Sequence, residues 1–181
     1  MPYGWEGEKV RLVALDKARH LDNALAWLND PEITAWTLVG DWPIGRLAEE
    51  AWFDKMPSQP PIGGFEDAVT FAIETHAGEH IGFSGLHAID WRNRVATTGT
   101  IIGRRDLWGQ GYGADAALVR RRFAFEVLGL RMLLSDVMAE NTGSLRMLQK
   151  AGYTEVGRIP RRIWKRGAWR DVVWMCLEAP G

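Results

Sequence analysis

The spacing of apolar residues in the first 64 positions predicts one strand followed by two helices. Residues 9–15 alternate polar and apolar side chains, which is the period of a half-buried strand, and Asp16 can cap a helix after them. Residues 21–30 repeat apolar side chains every three to four positions, which predicts a helix that Pro31 ends. A second helix is predicted over residues 46–56, with an apolar side made of Leu47, Ala51 and Trp52. Residues 57–64 are too rich in proline and glycine for regular structure.

The middle of the chain has the pattern of consecutive strands. Residues 68–75, 80–90 and 95–102 are rich in β-branched and apolar side chains, and turn-forming pairs, Ala77-Gly78 and Arg92-Asn93, separate them. Because the separations are short, we expect an antiparallel meander.

The segments after the glycine-rich loop predict a unit in which helices alternate with strands. Residues 114–128 have a helical period, residues 131–139 are typical of a buried strand, and Asn141 can cap a further helix that runs to about residue 150. Residues 153–177 are predicted to form two strands joined at residues 165–167. A strand, glycine-rich loop, helix and strand added to an antiparallel meander predict a mixed α+β fold.

The composition is that of one globular domain spanning residues 1–181, with 46% hydrophobic residues. The 22 basic and 23 acidic residues nearly cancel, so we expect no binding to nucleic acid or to a membrane surface. Cys176 is the single cysteine, which excludes an intrachain disulfide, and no His and Cys spacing indicates a metal site. Because the sequence shows neither a leader peptide nor a membrane span, a cytoplasmic protein is expected.

The chain contains ten tryptophans. Core packing is the commoner role of such rings, but an indole in polar surroundings also suits the wall of a ligand site or a homodimer interface. Five of them lie beside turn or polar residues: Trp5, Trp36, Trp42, Trp91 and Trp169.

The clearest chemical indication is a glycine-rich loop between a predicted strand and a predicted helix. Residues 101–114 read IIGRRDLWGQGYGA, with Gly109, Gly111 and Gly113 at alternate positions. Glycines let the backbone approach a ligand closely, and a helix N-terminus attracts anions, so a phosphate site is predicted. The loop lacks the spacing of a dinucleotide-binding motif and the Lys-Ser/Thr pair of a Walker loop. A plain tight turn is the remaining alternative.

Two motifs at a particular separation resemble a known family. The run WGQGYGADA at residues 108–116, followed by Asn141-Thr142-Gly143-Ser144 and Lys150-Ala151-Gly152-Tyr153, resembles the GNAT acetyltransferase superfamily in its ribosomal-protein-acetylating, RimJ/RimL-like branch. Residues 28–32, 52–53 and 90–94 are also similar to that branch. The resemblance implies a mostly antiparallel twisted sheet of about seven strands, with helices on both faces and a splayed parallel pair at the cofactor site.

The resemblance also implies how the chain would bind acetyl-CoA and release coenzyme A. The backbone of Ile101, Ile102 and Gly103 would pair with the pantetheine arm. The pyrophosphate would lie against five residues of the loop: Gln110, Gly111, Tyr112, Gly113 and Ala114. Trp108 and Gly109, at the start of the same loop, would also bind the cofactor. Asn141 would hold the pantetheine arm, although helix N-capping is an alternative role for it. Three residues of the same helix would line the remainder: Ser144, Met147 and Lys150.

The sequence departs from the family pattern at two positions. Many members carry Arg or Gln where Trp108 stands, although tryptophan is usual there in the RimJ/RimL-like branch. Many members also carry a tyrosine, about seven residues after the asparagine, that protonates the leaving thiolate, and Leu148 stands at that position. The acid must therefore come from another residue or from water.

Direct acetyl transfer needs a neutral amine, a polarised thioester carbonyl and a proton for the thiolate. A backbone N–H near Ile102 is the expected donor to the thioester oxygen. Ser144 is the candidate acid. Asn141, one helical turn before it, is the second candidate catalytic residue. The candidate bases are Asp90, His87 and Asp136, each of which an ordinary polar role explains as well. Cys176 is not expected to be a nucleophile because its strand is apolar.

The identity of the acceptor stays open at this stage. We expect an N-acetyltransferase acting on a protein or peptide N-terminal α-amine; the alternative is a small-molecule amine such as an aminoglycoside antibiotic or a polyamine. A catalytically inactive acyl-CoA-binding regulator is the candidate from another class. The choice of acceptor is expected to lie in residues 36–42, residues 57–65 and the C-terminal hairpin. The basic residues 158–166 are either a solvated hairpin or a recognition surface.

Overall fold

The computed structural model describes residues 5–38, 41–56 and 67–181, so the predicted linker at 57–64 lies outside the described residues. The strands are β1 (Val10–Ala14), β2 (Val69–Thr75), β3 (His80–Asp90), β4 (Val95–Ile102), β5 (Met132–Met138), β6 (Thr154–Lys165) and β7 (Ala168–Glu178). The α-helices are α1 (Lys17–Leu28), α2 (Pro31–Thr34), α3 (Arg46–Lys55), α4 (Tyr112–Arg122) and α5 (Thr142–Lys150). The predicted strands and the antiparallel meander of β2, β3 and β4 are confirmed.

All seven strands form one sheet in the order β1-β2-β3-β4-β5-β7-β6. Every neighbouring pair is antiparallel except β4 and β5, which run parallel. This pair is matched over three positions, from Val95 opposite Met132 to Thr97 opposite Leu134. Beyond that point β4 and β5 separate, and the opening between them is called the split below. The predicted α+β fold with a splayed parallel pair is therefore confirmed.

Helices cover both faces of the sheet. Phe83 of β3 packs with Leu21 of α1 and Phe53 of α3 in a small apolar cluster. The next residue, Ser84, accepts a hydrogen bond from Arg120 of α4. Because successive strand residues point to opposite faces, α1 and α3 lie on one face and α4 lies on the other.

Local capping explains where the first two helices begin. The Asp16 carboxylate accepts a hydrogen bond from the Arg19 N–H at 3.1 Å, as the sequence predicts. Helix α1 ends at Leu28 rather than at residue 30, because Asp30 caps a separate short helix whose first residue is Pro31. Proline suits that first position since its missing N–H has no partner there in any helix.

Two details of the predicted helices are wrong. The predicted apolar side of α3 faces solvent, with Leu47 83% exposed, whereas Glu49 and Phe53 are the buried residues of this helix. Leucine at an exposed position is common because the polar surface of a protein is too small to cover it. Helix α4 begins at Tyr112, two residues before the predicted start, and its last turn widens into a π-helix at Phe123–Val127.

The tryptophans divide between packing and exposure. Trp5 and Trp91 pack against the main core, which lies between the sheet and α4. Trp36, Trp42 and Trp169 are exposed, so the commoner core role does not apply to these three. Among the described residues, no helix is long and apolar enough to cross a membrane.

Candidate active site

Polar side chains mark the closed end of the split. The Thr98 hydroxyl donates to the Leu134 carbonyl at 3.1 Å, and the Ser135 hydroxyl donates to the Thr98 carbonyl at 3.3 Å. The Tyr153 hydroxyl lies 3.3 Å from the Thr98 hydroxyl, and all three side chains are buried. Side-chain hydrogen bonds thus connect β4 and β5 where they begin to separate.

The backbone of β4 alternates between β3 and the split. The Gly103 N–H donates to the Ile81 carbonyl of β3 at 2.9 Å. Since N–H and C=O groups of successive strand residues point to opposite sides, Ile101 and Gly103 face β3. Thr100 and Ile102 face the split. Of the three residues predicted to pair with a pantetheine arm, Ile102 is therefore the one whose backbone points toward it.

The Ile102 carbonyl already has a partner. The Trp108 indole Nε1–H donates to it at 2.7 Å, so two residues predicted to contact the cofactor contact each other. Gly103 has a packing role instead, because a Cβ there would overlap the indole ring of Trp27.

The N-terminus of α4 leaves backbone donors free of helical partners. Gly111, at φ +91°, is the residue before the helix and offers no capping side chain. The first helical hydrogen bond runs from the Asp115 N–H to the Gly111 carbonyl at 3.0 Å. The N–H groups of Tyr112, Gly113 and Ala114 come before it and point out of the helix end. This geometry suits the predicted phosphate site, because the helix dipole adds to these donors.

Lys9 is a cation at this site that sequence reasoning missed. A Cβ built on Gly111 would lie 3.5 Å from the Lys9 side chain, and the Lys9 ammonium lies 5.4 Å from the centre of the Tyr112 ring. The Asp115 carboxylate fixes this arrangement by accepting the Lys9 N–H at 2.8 Å and the Val10 N–H at 3.0 Å. Lys9 and Gly111 are far apart in the chain, so no local motif indicates their contact.

Helix α5 begins beside the split. The Asn141 side-chain oxygen accepts the Ser144 N–H at 3.0 Å, which is an N-cap. This cap uses the oxygen only and leaves the amide NH₂ as a donor. Ser144 and Met147 are half-buried, and Met147 packs against Gly113, where a Cβ would lie 2.8 Å from its sulfur. Lys150 is exposed at the far end of the helix.

Leu148, which stands where many family members carry a tyrosine, faces the core. Leu148 is 1% exposed and belongs to the main apolar cluster. A hydroxyl acid at this position would need different packing of α5, so the acid must come from another residue or from water.

A cavity of about 660 Å³ lies between the helical segment after β1 and the tip of the β6–β7 hairpin. Its wall includes Leu28, Thr34, Asp41, Trp42, Trp164 and Arg166. A smaller cavity of about 120 Å³ shares Arg166 and extends to Met138, the last residue of β5. The smaller cavity therefore reaches the C-terminal end of β5, on the open side of the split, and Arg166 lines both cavities. Of the predicted acceptor loops, residues 41 and 42 line the larger cavity, whereas residues 57–65 lie outside the described residues.

The charges around this cavity are paired. The Arg166 guanidinium donates to the Pro31 carbonyl at 2.7 Å and to the Thr34 hydroxyl at 2.8 Å. The Lys165 ammonium, only 3% exposed, lies 2.9 Å from the Asp41 carboxylate. Part of the basic run at 158–166 thus builds the cavity wall instead of standing in solvent.

The three candidate bases differ in their surroundings. Asp90 accepts the Asn93 N–H at 2.9 Å within the β3–β4 turn, at the opposite end of the sheet from the cavity. Asp136 lies 3.9 Å from the Arg162 guanidinium. His87 lies on the α1 side of the sheet, where its Nε2 would be 2.7 Å from a Cβ on Gly85.

The surroundings of His87 favour its neutral form. Although much of the residue is accessible, its ring lies over the sheet, and this burial together with the Arg120 guanidinium lowers the pKa of His87. A neutral imidazole can accept a proton. By contrast, burial raises the pKa of the Cys176 thiol, which makes it a poor nucleophile. No group of His, Cys, Asp and Glu within the described ranges could hold a metal ion.

Comparison with known proteins gives one family and several relatives. The family model described as "Acetyltransferase (GNAT) domain" matches residues 9–154. An L-methionine sulfoximine/L-methionine sulfone acetyltransferase of Pseudomonas aeruginosa is 28% identical over 165 residues, which cover 87% of this chain and 88% of the relative. An uncharacterized N-acetyltransferase, p20, of Bacillus licheniformis is 25% identical over 82% of both chains.

Solved structures share the same architecture. The spermidine N-acetyltransferase of Vibrio cholerae, in a crystal structure with CoA and spermine, superposes with a TM-score of 0.81 at 20% identity, over 93% of this chain and 95% of that chain. An acetyltransferase of the same fold from Bacillus anthracis gives a TM-score of 0.78 at 14% identity, over 96% of both chains. These likenesses confirm the predicted fold.

Proposed function

Because the chain belongs to the GNAT acetyltransferase family, we propose that this N-acetyltransferase transfers the acetyl group of acetyl-CoA directly to the primary amine of a small molecule. The observation that carries the proposal is the cavity of about 660 Å³ between residues 28–43 and the tip of the β6–β7 hairpin, which has the volume of a small-molecule site. The Pseudomonas aeruginosa relative, which acetylates L-methionine sulfoximine and L-methionine sulfone, supports this acceptor class. The one continuous sheet supports a single acetyltransferase domain over residues 1–181.

The charges of the cavity favour an amino-acid-like amine over a polyamine. A polyamine carries several positive charges and needs several carboxylates. Among the described lining residues, Asp41 is the acidic one, and Lys165 already pairs with it. Trp42 and Trp164 offer apolar surface. The Arg166 guanidinium, which also lies 3.7 Å from Asp41, keeps one N–H on each terminal nitrogen beyond its bonds to Pro31 and Thr34, and these can donate to a substrate carboxylate. A protein N-terminal α-amine, suggested by the resemblance to the RimJ/RimL-like branch, is the second candidate.

The residues around the split fit acetyl-CoA. The free N–H groups at the start of α4 and the Lys9 ammonium suit the pyrophosphate, and the Ile102 backbone and the Asn141 amide suit the pantetheine arm. Met147 adds apolar surface next to Gly113. Bound acetyl-CoA supplies an activated thioester, and the protein supplies placement, which contributes roughly 7 to 11 kcal/mol in favourable cases.

Two side chains handle the protons in this proposal. The amine nitrogen forms a bond to the acetyl carbon while the carbon–sulfur bond breaks, and His87 accepts the proton that the amine loses. Ser144, half-buried in the first turn of α5, donates a proton to the departing thiolate and recovers one from water. No covalent acetyl-enzyme forms.

The test combines binding with turnover. Isothermal titration with acetyl-CoA should show binding, and thiol release should follow with methionine sulfoximine but not with spermidine, an aminoglycoside or an N-terminal peptide. Turnover with the peptide alone would establish the second candidate. Binding without turnover on any amine would indicate the inactive regulator, and absence of binding would exclude the cofactor site.

A matched pair of variants tests the location of the site. Gly111→Val should lose acetyl-CoA binding, because its side chain occupies the space above the helix end. Gly45→Ala is the control, since a Cβ there meets nothing within 4 Å. Unchanged affinity in a folded Gly111→Val protein would exclude the assignment.

A further inference from the structure

Arg120 of α4 is a buried cation that has no carboxylate partner among the described residues. The residue is 0% exposed, and within the described part of the chain its Nε and Nη2 atoms have no hydrogen-bond partner. Its remaining nitrogen, Nη1, donates to the Ser84 hydroxyl at 3.0 Å, the Gly99 carbonyl at 2.7 Å and the Thr100 hydroxyl at 2.6 Å. Burying an unpaired charge costs several kcal/mol. A role in function therefore explains such a residue better than a contribution to the stability of the fold does.

The position of Arg120 along β4 indicates that role. The Gly99 carbonyl and the Thr100 N–H belong to one peptide group and point in opposite directions. Thr100 faces the split, by the same alternation that places Ile102 there. Arg120 therefore holds the carbonyl end of a peptide group whose N–H end points to where β4 and β5 separate.

We propose that Arg120 is a positioning residue that polarises the Gly99–Thr100 peptide group, so that the Thr100 N–H is the donor to the thioester oxygen during acetyl transfer. This inference rests on the proposed function. The sequence places the donor near Ile102, and the structure offers Thr100 as a second donor on the same side of β4, two residues closer to the closed end of the split.

The chemistry requires no proton from Arg120. When the amine attacks, the carbonyl oxygen takes up the electron pair of the C=O double bond, and the pair returns as the carbon–sulfur bond breaks. An N–H made more positive by a charge on its own peptide group binds that oxygen more strongly in the transition state than in the bound substrate. The low dielectric around the guanidinium strengthens the effect.

The surroundings of this peptide group support its place in the reaction. His87, the proposed base, lies on the opposite face of the sheet from Arg120, and its Nε2 would be 3.5 Å from a Cβ on Gly99. The proposed base and the proposed donor thus lie next to the same glycine. The absence of a side chain at Gly85, where a Cβ would lie 2.7 Å from the imidazole Nε2, leaves the space in which the ring lies.

The test compares Arg120→Met with a matched control. Arg121→Met removes a neighbouring cation of the same helix, whose guanidinium donates to the Ala151 carbonyl at 3.2 Å. Arg120→Met should lower kcat roughly ten- to a hundredfold, while the affinity for acetyl-CoA and the KM of the amine change by less than about twofold. Arg121→Met should keep the wild-type kcat. Arg120→Lys, which restores a charge, should recover part of the loss.

Two further measurements separate polarisation from a structural role. The infrared carbonyl stretch of bound acetyl-CoA should move toward its solution value in Arg120→Met, because the donor is weaker. The melting temperature should stay within about 5 °C of the wild type, since removal of a buried unpaired charge offsets the lost hydrogen bonds. If Arg120→Met does not fold, Arg120→Gln replaces it. Its amide can bond the Gly99 carbonyl but carries no charge, so kcat should still fall roughly tenfold.

Failure of the role proposed for Arg120 can be distinguished from failure of the proposed function. Turnover by the wild type establishes the activity first. A folded neutral variant with wild-type kcat and carbonyl stretch, or with a loss confined to KM or acetyl-CoA affinity, would overturn the role of Arg120 and leave the proposed function standing.

Discussion

The Trp108 indole, in the loop between β4 and α4, donates a hydrogen bond of 2.7 Å to the carbonyl of Ile102, the last residue of β4. Both residues belong to the segment in which the sequence predicts the cofactor site. The Ile102 backbone faces the split. The indole N–H therefore bonds a carbonyl oxygen to which an amide N–H of the pantetheine arm would also donate. Binding then requires an exchange of one hydrogen bond for another.

This exchange predicts the effect of removing the indole N–H. Trp108→Phe keeps an aromatic ring but leaves the Ile102 carbonyl unbonded, which should strengthen acetyl-CoA binding about fivefold, since a neutral hydrogen bond is worth about 1 kcal/mol. Isothermal titration measures the change. Trp42→Phe, an exposed tryptophan outside the split, is the control. Weaker binding in Trp108→Phe would mean that the indole contacts the cofactor instead.

Lys9 should contribute to binding through the phosphates. Lys9→Met should weaken acetyl-CoA binding roughly five- to tenfold at low salt and less at high salt, because an exposed charge is screened. Acetyl-pantetheine, which lacks the pyrophosphate, should bind both proteins equally. Lys17→Met removes a lysine that pairs with Asp54 away from the split and serves as control. An equal loss of affinity for both ligands would show that Lys9 does not act through the phosphates.

His87 should determine the acid side of the pH–rate profile. Its pKa is lowered by burial and by Arg120, so kcat/KM should rise with pH and level off below the usual histidine range. His87→Gln should lower kcat/KM about a hundredfold and remove this acid limb. His76→Gln, an exposed histidine near Gly7, should leave the profile unchanged. An acid limb that persists in His87→Gln would assign the base to another group.

A tyrosine substituted for Leu148 should not restore the acid that many members of the wider family carry at this position. Leu148→Tyr forces a larger side chain into the core, which should lower the free energy of unfolding by about 1 to 3 kcal/mol. We expect no increase in kcat, because the side chain points away from the split. Leu148→Met, of similar volume, controls for disturbance of α5. A rise in kcat for Leu148→Tyr would show that the hydroxyl reaches the thiolate.

His80 should make the protein less stable in acid. Its ring accepts the Asn23 amide at 3.1 Å and donates to the Gly82 carbonyl at 3.0 Å, and burial with the nearby His20 lowers the pKa of His80 to about 4. Between pH 6.5 and 4 the unfolded chain therefore binds a proton that the folded chain does not. Stability should be full above pH 6.5 and fall toward pH 4 by on the order of 3 kcal/mol.

Denaturant unfolding across this pH range measures the effect. His80→Gln should flatten the slope of unfolding free energy against pH, whereas His76→Gln should keep it. The same slope in wild type and His80→Gln would contradict the assignment of this proton to His80.

The sequence predicted the elements well where one physical signal dominated. Strands β3 and β4 have the predicted bounds because alternation, β-branched residues and turn pairs agree. Asp16 and Asn141 both cap helices as predicted, since capping depends on residues three positions apart. The apolar side of α3 was predicted wrongly because spacing alone does not say which face meets the sheet.

The sequence by itself determined the order of elements, the glycine loop at the start of α4 and the resemblance to acetyltransferases, because each depends on residues adjacent in the chain. Only the tertiary structure decided which atoms face the split. It brings Lys9 to Gly111 and Arg120 to Gly99, and it directs the Ile102 carbonyl to Trp108. Such contacts arise from sheet register and helix packing, which bring together residues that no local pattern relates.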